Sequence, residues 1–151
     1  MKILIATDGS DYSKAAVEET CRLVIHPETA DVLIVSAYED TFPMTAEPFA
    51  LSSEYYQKLT ESLTSLATSA VEAAKETIRD RFPGTDFAVA TEILRGPADQ
   101  LIIDKAIDWN ADLIVVGSHG RGFWGRLLGS VSNGVVHHAP CSVLVVRKPF
   151  V

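Results

Sequence analysis

The sequence has little that would tie it to a membrane, a metal or an oxidising compartment. No apolar run approaches the ~20 residues of a transmembrane helix. Only two cysteines, Cys21 and Cys141, occur in 151 residues, too few for a disulfide framework and outside any Cys/His metal pattern. We expect both to be reduced, partly buried thiols. The first apolar stretch ends at Asp8 without a signal-peptide cleavage pattern, which predicts a cytoplasmic protein.

Acidic residues are also missing from the C-terminal part of the chain. The net charge is −7, yet no acidic residue follows Asp112. The remaining 39 residues carry four basic side chains, Arg121, Arg126, Arg147 and Lys148. An acidic protein with one small basic segment suits a small anion better than a nucleic acid or a membrane surface.

Two familiar nucleotide-binding motifs are absent or incomplete. The chain has no Gly-Lys-Ser/Thr triplet, so it lacks the phosphate-gripping lysine of a Walker A loop. Residues 120–125 match G-x-G-x-x-G, but no acidic residue follows to hold a ribose. No nucleophile–base pair or pair of carboxylates stands out either.

Short apolar runs and amphipathic segments alternate along the chain. Four β-branched runs, typical of strands covered on both faces, are Ile3–Ala6, Val32–Val35, Leu113–Val116 and Val143–Val146. A fifth run, Phe87–Leu94, alternates less cleanly and is predicted to lie at a sheet edge. The pattern predicts an α/β fold with a doubly wound parallel sheet in a single domain, residues 1–151.

Helices are predicted between these runs, at residues 11–25, 53–81, 97–109 and 130–138. The first is expected to begin on Ser10 or Asp11 and to end before Pro27, and Ser130 is expected to cap the last. Buried stripes are expected to include Leu59, Leu63, Leu66, Ala67, Ala70, Val71, Ala74 and Ile78 of the second helix and Leu101, Ile102 and Ile107 of the third. Residues 39–52 show no periodicity and are predicted to be a mobile excursion.

Two strand ends carry the residues that point to a ligand. The first strand runs into Thr7-Asp8-Gly9-Ser10 and the fourth into Gly117-Ser118-His119-Gly120. Five glycines fall within residues 117–130, just before a helix whose N-terminus attracts phosphate. Hydroxyls of Ser130 and Ser132 and the charges of Arg121 and Arg126 would add to this attraction. The alternative is a flexible surface loop with a serine cap.

Taken together, these segments resemble the universal stress protein family. The resemblance rests on Asp8-Gly9-Ser10, Gly117-Ser118-His119-Gly120, Gly129-Ser130-Val131-Ser132 and the ending 138–146, and it covers essentially the whole chain. It implies a five-stranded sheet of order 3-2-1-4-5, Rossmann-like and similar to adenine-nucleotide alpha hydrolases. It also implies a homodimer through the last strand, at Val143 and Val145.

The ATP-binding branch of that family implies a specific set of site residues. They are Thr7, Asp8, Ala37, Val116, Gly117, His119, Gly120, Arg121, Gly129, Ser130, Val131 and Ser132, holding ATP with Mg²⁺. One departure stands out, because Gly120 and Gly129 enclose eight residues here and nine in the family pattern.

Three functions follow as hypotheses. The first is a regulatory module that binds ATP in stress response or signalling. The second is a weak ATPase or phosphate-transfer enzyme, and the third is a dimeric interaction protein that binds no nucleotide. His119 fits either a phosphate contact or an exposed loop residue, and the exposed position is the stronger expectation. Packing is the expected role of Phe123 and Trp124.

Overall fold

Five parallel strands form one sheet in the order β3-β2-β1-β4-β5. The strands are β1 (Lys2–Ala6), β2 (Asp31–Tyr38), β3 (Val89–Arg95), β4 (Leu113–Gly117) and β5 (Ser142–Val146). The computed structural model describes residues 1–40, 53–120 and 127–148. The order confirms the prediction, including the edge position of the fifth apolar run, which is the third strand along the chain.

Helices cover both faces of the sheet. They are α1 (Asp11–Leu23), α2 (Ser53–Arg81), α3 (Ala98–Trp109) and α4 (Ser130–His138). Successive side chains of each strand point to opposite faces of the sheet, so they form two separate hydrophobic cores. Ile3, Ile5 and Ile34 pack towards α1 and α2, whereas Leu4 and Ile114 pack towards α3 and α4. Within the described ranges, no helix is long and apolar enough to cross a membrane.

Strand β2 extends three residues beyond the predicted apolar run. Its last residues pair with β3, with Ser36 opposite Ile93 and Ala37 opposite Leu94. Ser36 is polar and Ala37 is small, but both remain in the strand because the pairing of β2 with β3 continues past Val35. This extension places Ala37 at the carboxyl edge of the sheet.

Helix boundaries and stripes differ from the predictions at several points. Helix α1 ends at Leu23, before the expected limit, because the amides of both Val24 and Ile25 bond to the carbonyl of Thr20. Pro97 is the N-cap of α3 and not its first helical residue.

The prediction that Ile107 and Leu66 are buried is wrong. Ile107 is 54% exposed and Leu66 is 46% exposed. On α3, Ile103 and Ala106 are buried instead, because the helix turns that side to the sheet. Residues 41–52 of the predicted excursion lie outside the described residues.

Both cysteines are free thiols, as expected. Cys21 packs in the α1–α2 core with 7% of its surface exposed, more deeply than the partial burial expected. Burial raises the pKa of its thiol from 9.0 to about 11. Burial also raises the pKa of Cys141. Both thiols therefore stay protonated and unreactive at neutral pH.

We expect the free energy of unfolding to fall as the pH rises from about 9 towards about 11, because of Cys21. The unfolded chain loses the thiol proton near pH 9, whereas the folded chain keeps it until near pH 11. Two pKa units correspond to about 2.7 kcal/mol. Urea unfolding across this range should show a steeper loss for the wild-type protein than for Cys21→Ala. Equal slopes in the two proteins would rule out this contribution.

Candidate functional site

A cavity of about 340 Å³ opens at the carboxyl edge of the sheet. The cavity is lined by eleven of the twelve residues implied by the family resemblance, namely Thr7, Asp8, Ala37, Val116, Gly117, His119, Gly120, Gly129, Ser130, Val131 and Ser132. The twelfth, Arg121, lies outside the described residues, as do Arg126, Phe123 and Trp124. Residues far apart in the sequence thus meet around one space.

The order of the strands explains this convergence. Strands β1 and β4 are direct neighbours, with Ile3 opposite Leu113 and Ile5 opposite Val115. Parallel strands end at the same edge, so the loop after Ala6 and the loop after Gly117 face one another. The order changes direction at this pair, which is where open α/β sheets bind ligands.

Part of the lining is apolar and made of small or branched side chains. Ala37 and Val116 were expected here, but five further apolar residues were missed: Ala6, Val35, Ala98, Ile102 and Leu128. Ala98 and Ile102 come from the start of α3, which the sequence alone presents only as a core helix. An apolar surface of this kind accepts the face of a flat aromatic ring.

The N-terminus of α4 supplies the polar part of the lining. Its N-cap is Gly129, which has no side chain to bond the first amides of the helix. Helix α1, in contrast, is capped by Ser10, whose hydroxyl accepts a bond from the amide of Ser13 at 3.3 Å. The first amides of α4 have no partner within the helix. They are therefore placed to donate to an anion in the cavity.

The position of the cap corrects one expectation. Ser130 was expected to cap α4, but it is the first helical residue, and the carbonyl of Gly129 accepts the amide of Asn133 at 2.9 Å. Gly129 adopts an extended conformation with φ −66° and ψ 163°. The hydroxyl of Ser130 is consequently not used for capping, and it lines the cavity.

Close packing accounts for two of the glycines. A Cβ on Gly117 would lie 2.8 Å from the carbonyl carbon of Tyr12 and 2.9 Å from the nitrogen of Ser13. A Cβ on Gly120 would lie 2.8 Å from Oδ2 of Asp8. Neither glycine has a positive φ. Gly117 is needed because α1 begins directly against β4.

His119 is buried, so the expected exposed position is wrong. Only 6% of its surface is exposed. Its ring lies 5.1 Å from the ring of Tyr12, and Nδ1 lies 3.0 Å from the hydroxyl oxygen of Ser118. Helix α1 covers His119 through Tyr12, although the glycine-rich sequence around His119 predicts an exposed loop. His119 forms part of the cavity wall.

Asp8 combines a turn role with a place in the cavity. Its Oδ1 accepts a hydrogen bond from the amide of Ser10 at 2.9 Å, which stabilises the tight turn between β1 and α1. The other oxygen, Oδ2, approaches Gly120. The carboxylate of Asp8 therefore takes part in the turn and lines the cavity at the same time.

Comparisons with known proteins match this chain at both the sequence and the structural level. The universal stress protein family model matches residues 1–147. The chain belongs to the universal stress protein family. A universal stress protein from Thermus aquaticus is 36% identical over 146 residues, covering 96% of this chain and 97% of that protein.

Solved universal stress proteins share the fold. UspA from Lactobacillus plantarum superimposes with a TM-score of 0.76 at 28% identity, covering 97% of each chain. A family protein from Arabidopsis thaliana, solved with AMP bound, superimposes with a TM-score of 0.70 at 19% identity, covering 99% of this chain and 92% of that one. This member therefore has the Rossmann-like fold of the universal stress proteins.

Sequence reasoning missed one polar residue that lines this universal stress protein's cavity and one that is buried beside the cavity residue His119. Ser13 lines it from α1, 3% exposed, and its hydroxyl lies 3.0 Å from that of Thr7. Ser118 is 1% exposed and contacts His119. The sequence could have indicated Ser13 by its position, which is one helical turn after Ser10, the N-cap of α1. Ser118 occupies a variable position of the glycine motif, so the motif could not indicate it.

Proposed function

We propose that this universal stress protein is a regulatory module that binds an adenine nucleotide, ATP with Mg²⁺, in stress response or signalling. The observation that carries the proposal is the cavity at the β1–β4 edge. An apolar lining and a helix N-terminus that lacks a side-chain cap share one space there. These are the two surfaces that a base and a phosphate chain require.

The base is proposed to lie against the apolar lining. Ala37 and Val35 come from the end of β2, and Ala98 and Ile102 from the start of α3. Alanine at both 37 and 98 leaves room between these elements. A planar purine buries its two faces well against such small side chains.

The phosphates are proposed to lie at the start of α4. Amides at positions 130–132, the hydroxyl of Ser130 and the helix dipole all favour negative charge. The described lining contains no lysine or arginine. Backbone amides and hydroxyls would therefore supply much of the binding from the described residues.

Magnesium fits this arrangement through Asp8. Mg²⁺ in nucleotide sites is held by one or two carboxylates together with phosphate oxygens. Asp8 lines the cavity and has one oxygen, Oδ1, committed to the turn. Its carboxylate would take the ion that accompanies the phosphates. Among the described residues, no three acidic, histidine or cysteine side chains form a metal cluster, so the ion would enter with the nucleotide.

A related structure supports the choice of ligand. The Arabidopsis thaliana universal stress protein family protein, whose fold this chain shares, was solved with AMP. The cavity described here lies at the ligand-binding edge of the same fold. An adenine nucleotide is therefore the ligand to test first.

Calorimetric titration of the nucleotide-stripped protein tests the proposal. We expect saturable micromolar binding of ATP with Mg²⁺ and much weaker binding of GTP. Chromatography of the same samples would show whether ADP accumulates, which separates a binding module from a weak ATPase. No heat with any adenine nucleotide would reject the proposal and favour a protein that acts through protein contacts.

We also propose that two copies pair through β5. This strand lies at one edge of the sheet, and its valines 143 and 145 are half-buried. An apolar edge strand is a template for pairing with another strand.

Placing lysine at Val145 is expected to give monomers, because two lysines would meet at the pairing edge. Light scattering would report the mass. Val145→Thr keeps the branched shape and should stay dimeric. Because Val145 also packs on the α3–α4 core, circular dichroism must first show that both variants are folded. A folded Val145→Lys protein of unchanged mass would exclude this interface.

A further inference from the structure

Gly134 is the one glycine that lies within a helix in the described part of the chain. Glycine in a helix interior is less favourable than alanine, because it has more backbone freedom to lose on folding. A glycine in the middle of α4, a helix of nine residues, therefore needs a reason in the packing. The neighbouring helix α3 supplies that reason.

Asp99 of α3 occupies the space where a side chain at position 134 would lie. A Cβ on Gly134 would be 2.5 Å from Oδ2 of Asp99, 3.1 Å from its Cγ and 2.9 Å from its Cβ. The carboxylate can rotate away, but the Cβ of Asp99 moves only with the backbone of α3. Carbon atoms in contact lie about 3.5–4.0 Å apart, so a side chain at position 134 would push the two helices apart by about 0.5–1 Å.

This contact lies beside the cavity, on two of the elements that line it. Ala98, the neighbour of Asp99, lines the cavity from α3. Ser130, one helical turn before Gly134, lines it from α4. In the proposed function the base lies against the start of α3 and the phosphates lie at the start of α4. One nucleotide must then bridge the two helices, and their spacing sets the distance between its base and phosphate subsites.

We propose that Gly134 is a positioning residue, whose lack of a side chain lets α3 approach α4 closely enough for one adenine nucleotide to reach both subsites. The inference rests on the proposed nucleotide function. It gives Gly134 no contact with the ligand, because Gly134 is not among the residues that line the cavity. A side chain at this position would therefore act on binding through the spacing of the helices.

Gly134→Ala should weaken the binding of ATP with Mg²⁺ by about tenfold, because a shift of this size removes about one hydrogen bond to the phosphates. Adenosine and inorganic triphosphate each occupy one subsite, so each should lose less affinity than ATP, which must span both. Calorimetry would measure ATP, and NMR titration would measure the two weaker ligands. An ATP loss no larger than the loss for either smaller ligand would overturn the proposal.

Asn133→Ala is the matched control, because Asn133 precedes Gly134 on α4, is exposed and does not line the cavity. It should leave the affinity for ATP unchanged. A loss equal to that of Gly134→Ala would show that binding responds to any change in this turn of α4, and it would overturn the role of the spacing.

Changing the opposing residue tests whether Asp99 is the contact that matters. Asp99→Gly removes all three atoms that a Cβ at position 134 would meet. In that background Gly134→Ala should cost little affinity, because the two effects are coupled. In an Asp99→Ala background the Cβ at 2.9 Å remains, and most of the loss should remain with it. A loss that stays about tenfold beside Asp99→Gly would overturn the proposal.

Circular dichroism must first show that each variant is folded. If Gly134→Ala alone does not fold, the variant that also carries Asp99→Gly should fold, because the crowded atoms are then absent. Failure of both to fold would show that position 134 is crowded by a group other than Asp99 and would overturn the proposal.

A crystal structure of the nucleotide-free Gly134→Ala protein gives a readout that does not depend on binding. We expect the backbones at Ala98 and Ser130 to lie about 0.5–1 Å further apart than in the wild-type protein. An unchanged separation would overturn the positioning role by itself. Absence of nucleotide binding by the wild-type protein would overturn the proposed function instead.

Discussion

Ser130→Asp is expected to abolish nucleotide binding while leaving the protein folded. The side chain lies at the first position of α4, exposed and on the wall of the cavity. A carboxylate there would face the phosphates, and two unit charges 4 Å apart repel by about 4 kcal/mol at an effective dielectric constant of 20. We therefore expect affinity to fall by more than about a hundredfold in a calorimetric titration.

The fold should tolerate this change, which makes the result informative. An acidic residue in the first turn of a helix stabilises it by roughly 0.3–1 kcal/mol. The control is Ser130→Asn, which has the same shape without the charge and should lose no more than about tenfold. If Ser130→Asp bound nucleotide as tightly as Ser130→Asn, the phosphates would have to lie away from α4.

Gly117→Ala is expected to destabilise the protein even though the residue belongs to the ligand motif. The new Cβ would lie within 2.9 Å of three backbone atoms of Tyr12 and Ser13. Backbone cannot turn aside as a side chain can, so α1 or β4 must shift. Overpacking of this kind costs about 1–3 kcal/mol, which urea unfolding would measure directly.

Gly120→Ala is the comparison, because its Cβ would meet only the end of the Asp8 side chain. That carboxylate can rotate, so we expect Gly120→Ala to lower the unfolding free energy by less than about 1 kcal/mol. The same rotation would move Asp8 and weaken binding of nucleotide with Mg²⁺. Equal stability losses in the two variants would mean that α1 does not press on Gly117.

Much of the fold could be predicted because strands and helices leave strong local patterns. The β-branched run Leu113–Val116 appears as β4 with one added residue, and 53–81 and 130–138 match the observed helices. Where the predictions were wrong, the deciding contact is tertiary. Ile107 fits a helical stripe, yet the side of α3 that meets the sheet carries Ile103 and Ala106.

The candidate site was predictable where a motif marks it. Glycines and serines at two strand ends indicated a phosphate loop. Residues from three of the segments that carry the family resemblance, around Asp8, Gly117 and Gly129, meet at one cavity. Ala98 and Ile102 could not be found this way, because an apolar residue in a helix has the same pattern whether it faces a core or a ligand. The burial of His119 depends on Tyr12, more than one hundred positions earlier in the sequence.

The measurement that tests the account most directly is a crystal structure of the protein grown with ATP and Mg²⁺. We predict the adenine against Ala37 and Ala98 and the phosphates within hydrogen-bond distance of the amides at residues 130–132. Magnesium should lie beside Asp8. A nucleotide bound at another surface, or an empty cavity at saturating ATP, would contradict the account.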